Sequence, residues 1–150
     1  MSPRPVLISA CLLGLKTRYD GSSKSHPKVL ELLQDPQILP IPVCPEQLAG
    51  LPTPRPACSF VIGEGADILA GRGLLVDQNG QAVNAIFRKG AEATGQIAQL
   101  TRCRHAILKE RSPSCGVHQI IRQGQPVAGQ GVTAARLQQL GLQLGSEESL

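Results

Sequence analysis

Three short apolar runs lead directly into a cysteine, or into a turn that carries one, and they constrain the fold more than any other feature. The first run ends at Cys11, the second ends at Cys44, and the third leads through a Ser-Pro-Ser turn to Cys115. Short, continuously apolar runs are typical of strands that are buried on both faces of a parallel sheet. Because parallel strands end at the same edge of a sheet, we expect the three thiols to approach one another there.

Segments with strand and helix patterns alternate along the chain. Strands are predicted over residues 5–11, 38–44, 105–109 and 142–144, helices over 27–33, 84–103 and 134–140, and a short β-excursion within 60–77. This alternation predicts an α/β fold in which helices cover both faces of a mostly parallel, Rossmann-like sheet. The 150 residues fit a single domain spanning 1–150, with its site at the carboxyl ends of the strands.

Composition narrows the class of protein. Hydrophobic residues make up 41% and charged residues 17%, which is typical of a globular chain and not of a disordered one. We expect a cytoplasmic protein, because no apolar stretch is long enough to cross a membrane and the N-terminus has no signal-peptide pattern. The basic residues behind the net charge of +4 are scattered along the sequence. With one Tyr, two Phe and no Trp, the chain also offers few aromatic rings on which nucleic-acid bases could stack. A small substrate is therefore favoured over a nucleic acid, and the oligomeric state stays open.

The five cysteines are predicted to be reduced thiols, because an odd number at irregular spacing does not make a disulfide framework. Three thiolates that leave one position vacant are a typical way to hold a metal centre with an open coordination site. Cys11, Cys44 and Cys115 are the predicted ligands, and three separately buried thiols are the alternative. Cys103 is interpreted as a small buried hydrophobe, while Cys58 is either a spare thiol near the site or a loop residue.

Two polar groups close to these cysteines are candidate catalytic residues. Glu46 follows Cys44 by two residues in a proline-rich loop, where its carboxylate can act as a general acid or base. It can equally be a first-turn helix residue that the helix dipole favours. Ser112 opens the turn that leads to Cys115, and the backbone N–H groups of such a turn can face an anion or cluster sulfurs. An ordinary Ser-Pro turn is the alternative.

Candidate substrate contacts are polar side chains that share a sequence block with a cysteine or lie at a strand end: Arg18, Arg55, Lys109 and Ser114. A pocket for a small polar substrate needs only a few placed hydrogen-bond donors, which these side chains supply. For each of the charged residues the alternative is a solvated surface charge.

Several sequence blocks resemble those of a known family. They span residues 8–14 with 18–21, 43–46 with 50–52 and 54–56, 106–116, 129–135 and 141–147. Over nearly its whole length the chain resembles the thiouracil desulfidase family, formerly a bacterial domain of unknown function. The chain departs from the family pattern at 57–59, where many members have a carboxylate, and also at 82–84 and 118–121.

The resemblance implies an enzyme with a [4Fe–4S] cluster on Cys11, Cys44 and Cys115, one iron of which stays open and binds the sulfur of a thiolated pyrimidine. In the implied reaction, sulfur leaves a small thiolated nucleobase such as 2-thiouracil and water replaces it, giving uracil. The catalytic carboxylate of the family corresponds to Glu46 and its catalytic serine to Ser112. A non-catalytic metal- or sulfide-binding protein that uses the same cysteines is the alternative, and an RNA-modification accessory is a further one.

Overall fold

A four-stranded parallel sheet lies at the centre of the computed structural model, which describes residues 2–150. The strands are β1 (Arg4–Ser9), β2 (Ile38–Val43), β3 (Cys58–Ile62), β4 (Leu74–Asp77), β5 (His105–Leu108), β6 (Gln119–Arg122), β7 (Gln125–Ala128) and β8 (Gln143–Ser146), and the helices are α1 (Pro27–Leu32), α2 (Pro45–Leu48), α3 (Gly65–Leu69), α4 (Asn84–Leu100) and α5 (Val132–Gln139). The central sheet has the order β2-β1-β5-β8, and each neighbouring pair is parallel. Within the described part of the chain, no helix combines the length and apolarity needed to cross a bilayer.

Helices cover both faces of the central sheet. The side chains of β1 alternate, so that Val6 and Ile8 pack with Val29 of α1 on one face. Leu7 points to the other face and belongs to the core that includes Leu137 of α5. A strand covered on both faces needs apolar residues throughout, which explains its continuous apolar run. The predicted α/β class, parallel central sheet and two covered faces are confirmed.

A second sheet is the main addition to the predicted fold. It has the order β4-β3-β6-β7, in which the two outer pairs are antiparallel and the two inner strands are joined by a parallel bridge between Phe60 and Arg122. The sequence predicts only its first half, as the excursion within 60–77. The strands β6 and β7 are short and carry polar residues, so their pairing depends on tertiary contacts rather than on local pattern. Phe60 and Ile68 are fully buried in the core beneath this sheet.

The N-terminus of α5 holds the turn that carries Cys115. Backbone N–H groups at this end donate to carbonyl oxygens of the turn at 2.8–3.0 Å, in the pairs Gly131–Gly116, Val132–Pro113 and Ala134–Ser114. A glycine at 131 permits this approach, because a Cβ there would lie 2.5 Å from the carbonyl carbon of Ser114. Gly65 of α3 packs directly against the backbone of Gly131, since a Cβ on Gly65 would lie 2.1 Å from the carbonyl oxygen of Gly131. Through α3, the second sheet therefore supports the turn that carries Cys115.

We expect Gly65→Ala to destabilise the protein, because its methyl group would overlap the Gly131 carbonyl oxygen and push α5 away from the turn. Overpacking of this kind typically costs about 1–3 kcal/mol in the free energy of unfolding. The measurement is urea denaturation followed by circular dichroism. Gly145→Ala is the matched control, since the nearest heavy atom to its added Cβ lies at 3.5 Å. Equal denaturation midpoints for the two variants would contradict the prediction.

Candidate metal centre and active site

A cavity of about 590 Å³ opens at the carboxyl edge of the central sheet, and this volume is typical of small-molecule sites. Its wall contains all the residues that the sequence assigns to the site: Cys11, Arg18, Cys44, Glu46, Arg55, Lys109, Ser112, Ser114 and Cys115. The segments converge because β1 pairs in parallel with both β2 and β5, so the residues that follow each strand lie at one edge. The location at the strand ends agrees with the prediction, while the role of each residue stays a prediction.

Each of the three cysteines is held by a short segment that follows its strand. Cys11 lies in a 3₁₀ turn over Ala10–Leu13, Cys44 stands at the N-cap of α2, and Cys115 lies in the turn after β5. Burial raises the pKa of the Cys11 thiol to about 11, although Lys109 and Arg18 act in the opposite direction. Burial likewise raises the pKa of Cys115 to about 12. Both thiols are therefore neutral at pH 7, and a metal that binds them must release their protons.

The three thiols line the same cavity, but they do not form a site for a single metal ion. Within residues 2–150, no three Cys, His, Asp or Glu side chains stand close enough to share a single metal ion. A tetrahedral zinc with Zn–S distances of about 2.3 Å needs its sulfurs within about 4 Å of one another. In an iron–sulfur cluster each cysteine binds a different iron, so the ligands stand further apart. Three thiols around one cavity therefore fit a cluster better than a lone ion.

The Ser112 hydroxyl organises the turn that carries Cys115. Its Oγ accepts the backbone N–H of Cys115 at 3.0 Å and that of Ser114 at 3.2 Å. The Ser114 hydroxyl donates to Glu46 Oε2 at 3.1 Å. A hydroxyl has one proton, so the 3.1 Å contact between the two serine oxygens requires Ser112 to be the donor. The result is a directed hydrogen-bond chain from Ser112 through Ser114 to Glu46, with Ser114 as a link that spacing alone does not reveal.

Arg55 fixes the other oxygen of Glu46. Its Nε donates to Glu46 Oε1 at 2.9 Å, and its terminal nitrogens donate to the carbonyl oxygen of Thr17 at 2.8 Å and to Thr53 Oγ1 at 2.8 Å. One terminal nitrogen also lies 3.8 Å from Cys44 Sγ. Only 3% of the Arg55 side chain is exposed. The predicted substrate contact therefore has its donors directed at protein groups, which makes it a support for the carboxylate and for one thiol.

Arg18 and Lys109 are cations of the cavity wall whose side chains stay partly accessible, at 24% and 18% exposure. Arg18 donates to Ser22 Oγ at 3.3 Å, and its guanidinium lies over the Tyr19 ring at 5.5 Å from the centroid. Lys109 Nζ donates to the carbonyl oxygen of Glu110 at 2.8 Å. Both positive charges are therefore held beside the space that a ligand would fill.

The remaining two cysteines occupy different environments. Cys58 begins β3 and lines the cavity, and burial together with the negative charges of Glu46 and Asp77 raises its pKa to about 12. Cys103 is buried in the main core, with its Sγ 3.1 Å from Thr101 Oγ1. The interpretation of Cys103 as a buried hydrophobe agrees with this position, and Cys58 is a thiol of the cavity wall.

A buried carboxylate that the sequence pattern does not single out braces the segment after Cys115. Glu110 Oε1 accepts the backbone N–H groups of Val117 at 2.8 Å, His118 at 2.8 Å and Gln119 at 3.0 Å. Burial by itself raises the pKa of Glu110, but these hydrogen bonds outweigh it and lower the pKa to about 2. Glu110 therefore anchors the return of the chain from the Cys115 turn into β6. Its position next to the Ser-Pro-Ser block was the only signal in the sequence.

The fold and the cavity together are those of an α/β enzyme whose site, at the strand ends, is lined by thiols and polar side chains. A family model described as 2-thiouracil desulfurase matches residues 6–149, which is nearly the whole chain. This chain belongs to the 2-thiouracil desulfurase family.

Two relatives match over almost their full lengths. The "Uncharacterized protein YbbK" of Bacillus subtilis (strain 168) is 36% identical over 148 residues, which cover 97% of this chain and 97% of the relative. A solved structure named "[4Fe-4S]-dependent thiouracil desulfidase TudS" is 37% identical and superimposes with a TM-score of 0.81, covering 98% of this chain and 93% of that one. The family resemblance read from the sequence blocks is confirmed.

Glu110 makes a pH-dependent contribution to stability. Its pKa is about 2 in the folded protein against an ordinary 4.5, so the contribution is complete above pH 4.5 and is lost as the pH falls towards 2. At about 1.4 kcal/mol per pKa unit, it is on the order of 3 kcal/mol. We expect Glu110→Gln to lower the free energy of unfolding at pH 6 and to matter much less near pH 2, as measured by urea denaturation.

The exposed carboxylate of Glu31 on α1 offers the control for this prediction. Glu31→Gln should leave the free energy of unfolding nearly unchanged at both pH values. A Glu110→Gln effect of equal size at both pH values would show that the carboxylate charge is not what stabilises the turn.

Proposed function

We propose that this chain is an iron–sulfur-dependent desulfidase that removes sulfur from a thiolated pyrimidine such as 2-thiouracil and gives uracil. The observation that carries the proposal is the shared cavity, in which three thiols and a carboxylate–serine chain line one wall. Membership of the 2-thiouracil desulfurase family supports it. So does the likeness to a structure named as a [4Fe-4S]-dependent thiouracil desulfidase.

Cys11, Cys44 and Cys115 would hold the cluster. Three cysteines for four irons leave one iron open to a further ligand. When bound, the cluster supplies a Lewis-acidic iron that takes up the sulfur of the substrate. The cations Arg18 and Lys109 in the cavity wall offset the negative charge that the three thiolates bring.

Polar side chains of the protein accept and transfer the protons of the attacking water. The reaction exchanges C=S for C=O, so one water supplies the oxygen and gives up both protons while sulfur leaves as sulfide. Glu46 is suited to take the first proton, because Arg55 and Ser114 hold its two oxygens in fixed positions. Once Glu46 has taken a proton it becomes the donor to Ser114, so the hydrogen-bond chain reverses and the Ser112 hydroxyl is suited to pass a proton to the ring nitrogen.

The remaining site residues divide into contacts and supports. Arg18 and Lys109 are the proposed substrate contacts, since both are partly accessible in the wall. Ser114 combines a place in the wall with its role as the link of the proton path. Arg55 is proposed to act on substrate through Glu46, because its own donors are engaged by protein atoms.

A non-catalytic metal- or sulfide-binding protein is not favoured. A carrier would need the three thiols but would gain nothing from the chain that links Ser112, Ser114 and Glu46 beside them. The volume of about 590 Å³ suits a nucleobase better than a polynucleotide. Five free thiols support a reducing compartment, which we take to be the cytoplasm.

Replacement of single cysteines tests the cluster ligands. Cys11→Ser, Cys44→Ser and Cys115→Ser each remove one thiolate and should lose iron after anaerobic reconstitution, where the unsubstituted protein should hold about four irons per chain. Iron analysis and visible absorption measure the loss. Cys103→Ser is the matched control, because that thiol lies in the core and not in the cavity wall. Full iron content in all three site variants would remove these ligands from the proposal.

Substitutions in the hydrogen-bond chain from Ser112 through Ser114 to Glu46 test the assignment of the catalytic residues. Glu46→Gln and Ser114→Ala should keep the cluster and lose about 10²–10⁴-fold in turnover, the typical effect of removing a general acid or base. Ser112→Ala should also loosen the Cys115 turn, because two backbone N–H groups lose their acceptor. The assay is anaerobic incubation with 2-thiouracil, following loss of its thiocarbonyl absorption and release of uracil.

The two serines act through one chain, so their effects on turnover should not add. The double variant Ser112→Ala/Ser114→Ala should be little slower than the slower single variant, which a double-mutant cycle measures. Near-normal turnover in Glu46→Gln with an intact cluster would refute the assigned mechanism, and absence of 2-thiouracil turnover in the loaded unsubstituted protein would refute the proposed substrate.

A further inference from the structure

A buried ion pair joins the ends of two neighbouring strands beside the cavity. β5 and β8 pair in parallel with Leu108 opposite Ser146, so the residues that follow them, Lys109 and Glu147, leave the sheet side by side. Lys109 Nζ lies 3.2 Å from Glu147 Oε2. The other oxygen of this carboxylate, Oε1, accepts the backbone N–H of Glu110 at 2.8 Å. The Glu147 side chain is only 6% exposed and therefore has a fixed position.

The Lys109 ammonium has three N–H donors, one of which donates to the carbonyl oxygen of Glu110 at 2.8 Å. Its charge is paired with the Glu147 carboxylate at 3.2 Å, an ion pair rather than a hydrogen bond. The backbone of Lys109 is fixed as well, because its N–H donates to Ser9 Oγ at 2.9 Å. Within residues 2–150, no protein acceptor engages the remaining ammonium donors, and the side chain lines the cavity.

Stability alone does not explain this pair. Burial of two charges costs nearly as much as their attraction returns, and apolar residues of similar size often stabilise a fold equally well. Lys109 lines the cavity that also contains Cys11, whereas Glu147 is not part of the cavity wall. The cationic end of the pair is therefore the end presented to the ligand.

We propose that Glu147 is a positioning residue that fixes the Lys109 ammonium in the cavity wall, with one N–H directed at a polar acceptor of the bound thiolated pyrimidine. The inference rests on the proposed function for its ligand, and it adds to the substrate site a residue that directly follows β8. Lys109 makes the contact, and Glu147 acts through it.

The variant Glu147→Gln tests this role with little change of shape. A glutamine places its carbonyl oxygen at one of the two carboxylate oxygen positions and an NH2 donor at the other, so it can accept the Glu110 N–H or face Lys109 but not both, and it carries no charge. Glu148→Gln is the matched control, because it removes the same charge from the next residue, which is 47% exposed and pairs with Arg111 instead. Glu147→Asp keeps the charge on a shorter side chain and should recover part of the lost function.

The first measurement needs no cluster and no turnover. Amine acetylation of the metal-free protein, read by peptide mass spectrometry, reports how firmly Lys109 is held, with the exposed Lys16 as internal reference. Lys109 should react on the order of tenfold faster in Glu147→Gln, since it loses the carboxylate charge that holds it in place, and at the unsubstituted rate in Glu148→Gln. Unchanged labelling of Lys109 in Glu147→Gln would overturn the proposal whether or not the protein turns over 2-thiouracil.

The second measurement asks whether the fixed ammonium serves the substrate. In the loaded protein, Glu147→Gln should raise the KM for 2-thiouracil on the order of tenfold and leave kcat within a few-fold, with the Tm recorded for each variant. The effect should vanish in a Lys109→Gln background, because the two residues act as one. The proposal would also be overturned if Glu147→Gln speeds the labelling of Lys109 but leaves the KM unchanged, or if its effect on the KM persists in the Lys109→Gln background.

Discussion

Parallel pairing of the central strands is the constraint on which the rest of the site depends. β1 lies between β2 and β5, and β8 closes the sheet beside β5, so all four strands deliver their following residues to one edge. The thiols of Cys11 and Cys44 follow adjacent strands, and Cys115 comes from the turn beyond the third. A shift of one residue in any register would turn buried side chains towards the wrong face. The apolar burial of the strands and the geometry of the site are thus secured by the same contacts.

Two of the three thiols are joined through polar atoms as well as through the sheet. The backbone N–H of Cys115 donates to Ser112, and the chain of hydroxyls then reaches Glu46. Arg55 holds the same carboxylate and lies 3.8 Å from the sulfur of Cys44. Displacement of either thiol would change the position of the carboxylate, so the proposed catalytic and ligand residues are coupled.

The central sheet and the edge that carries the thiols could be predicted because they follow from local pattern and from the geometry of parallel strands. The second sheet could not be predicted, since β6 and β7 are short and carry polar residues. Their pairing is stabilised by packing against α3, α4 and α5. The same limit applies to single side chains. Arg55 reads as a free cation until its burial against Glu46 is known, and Glu147 reads as one of several acids near the C-terminus until the register of β5 and β8 brings it to Lys109. Such partners are set by contacts distant in sequence.

The neutral state of the buried thiols affects how readily they are oxidised before the protein binds iron. Oxidants attack thiolates and not thiols. Burial raises the pKa of Cys11 and that of Cys115, so both are thiols rather than thiolates at neutral pH. Before iron is bound, oxidation of these two cysteines is therefore slower than that of an exposed cysteine. Iron can bind them only as their protons are removed, so the same burial that protects the two thiols also slows their loading with metal.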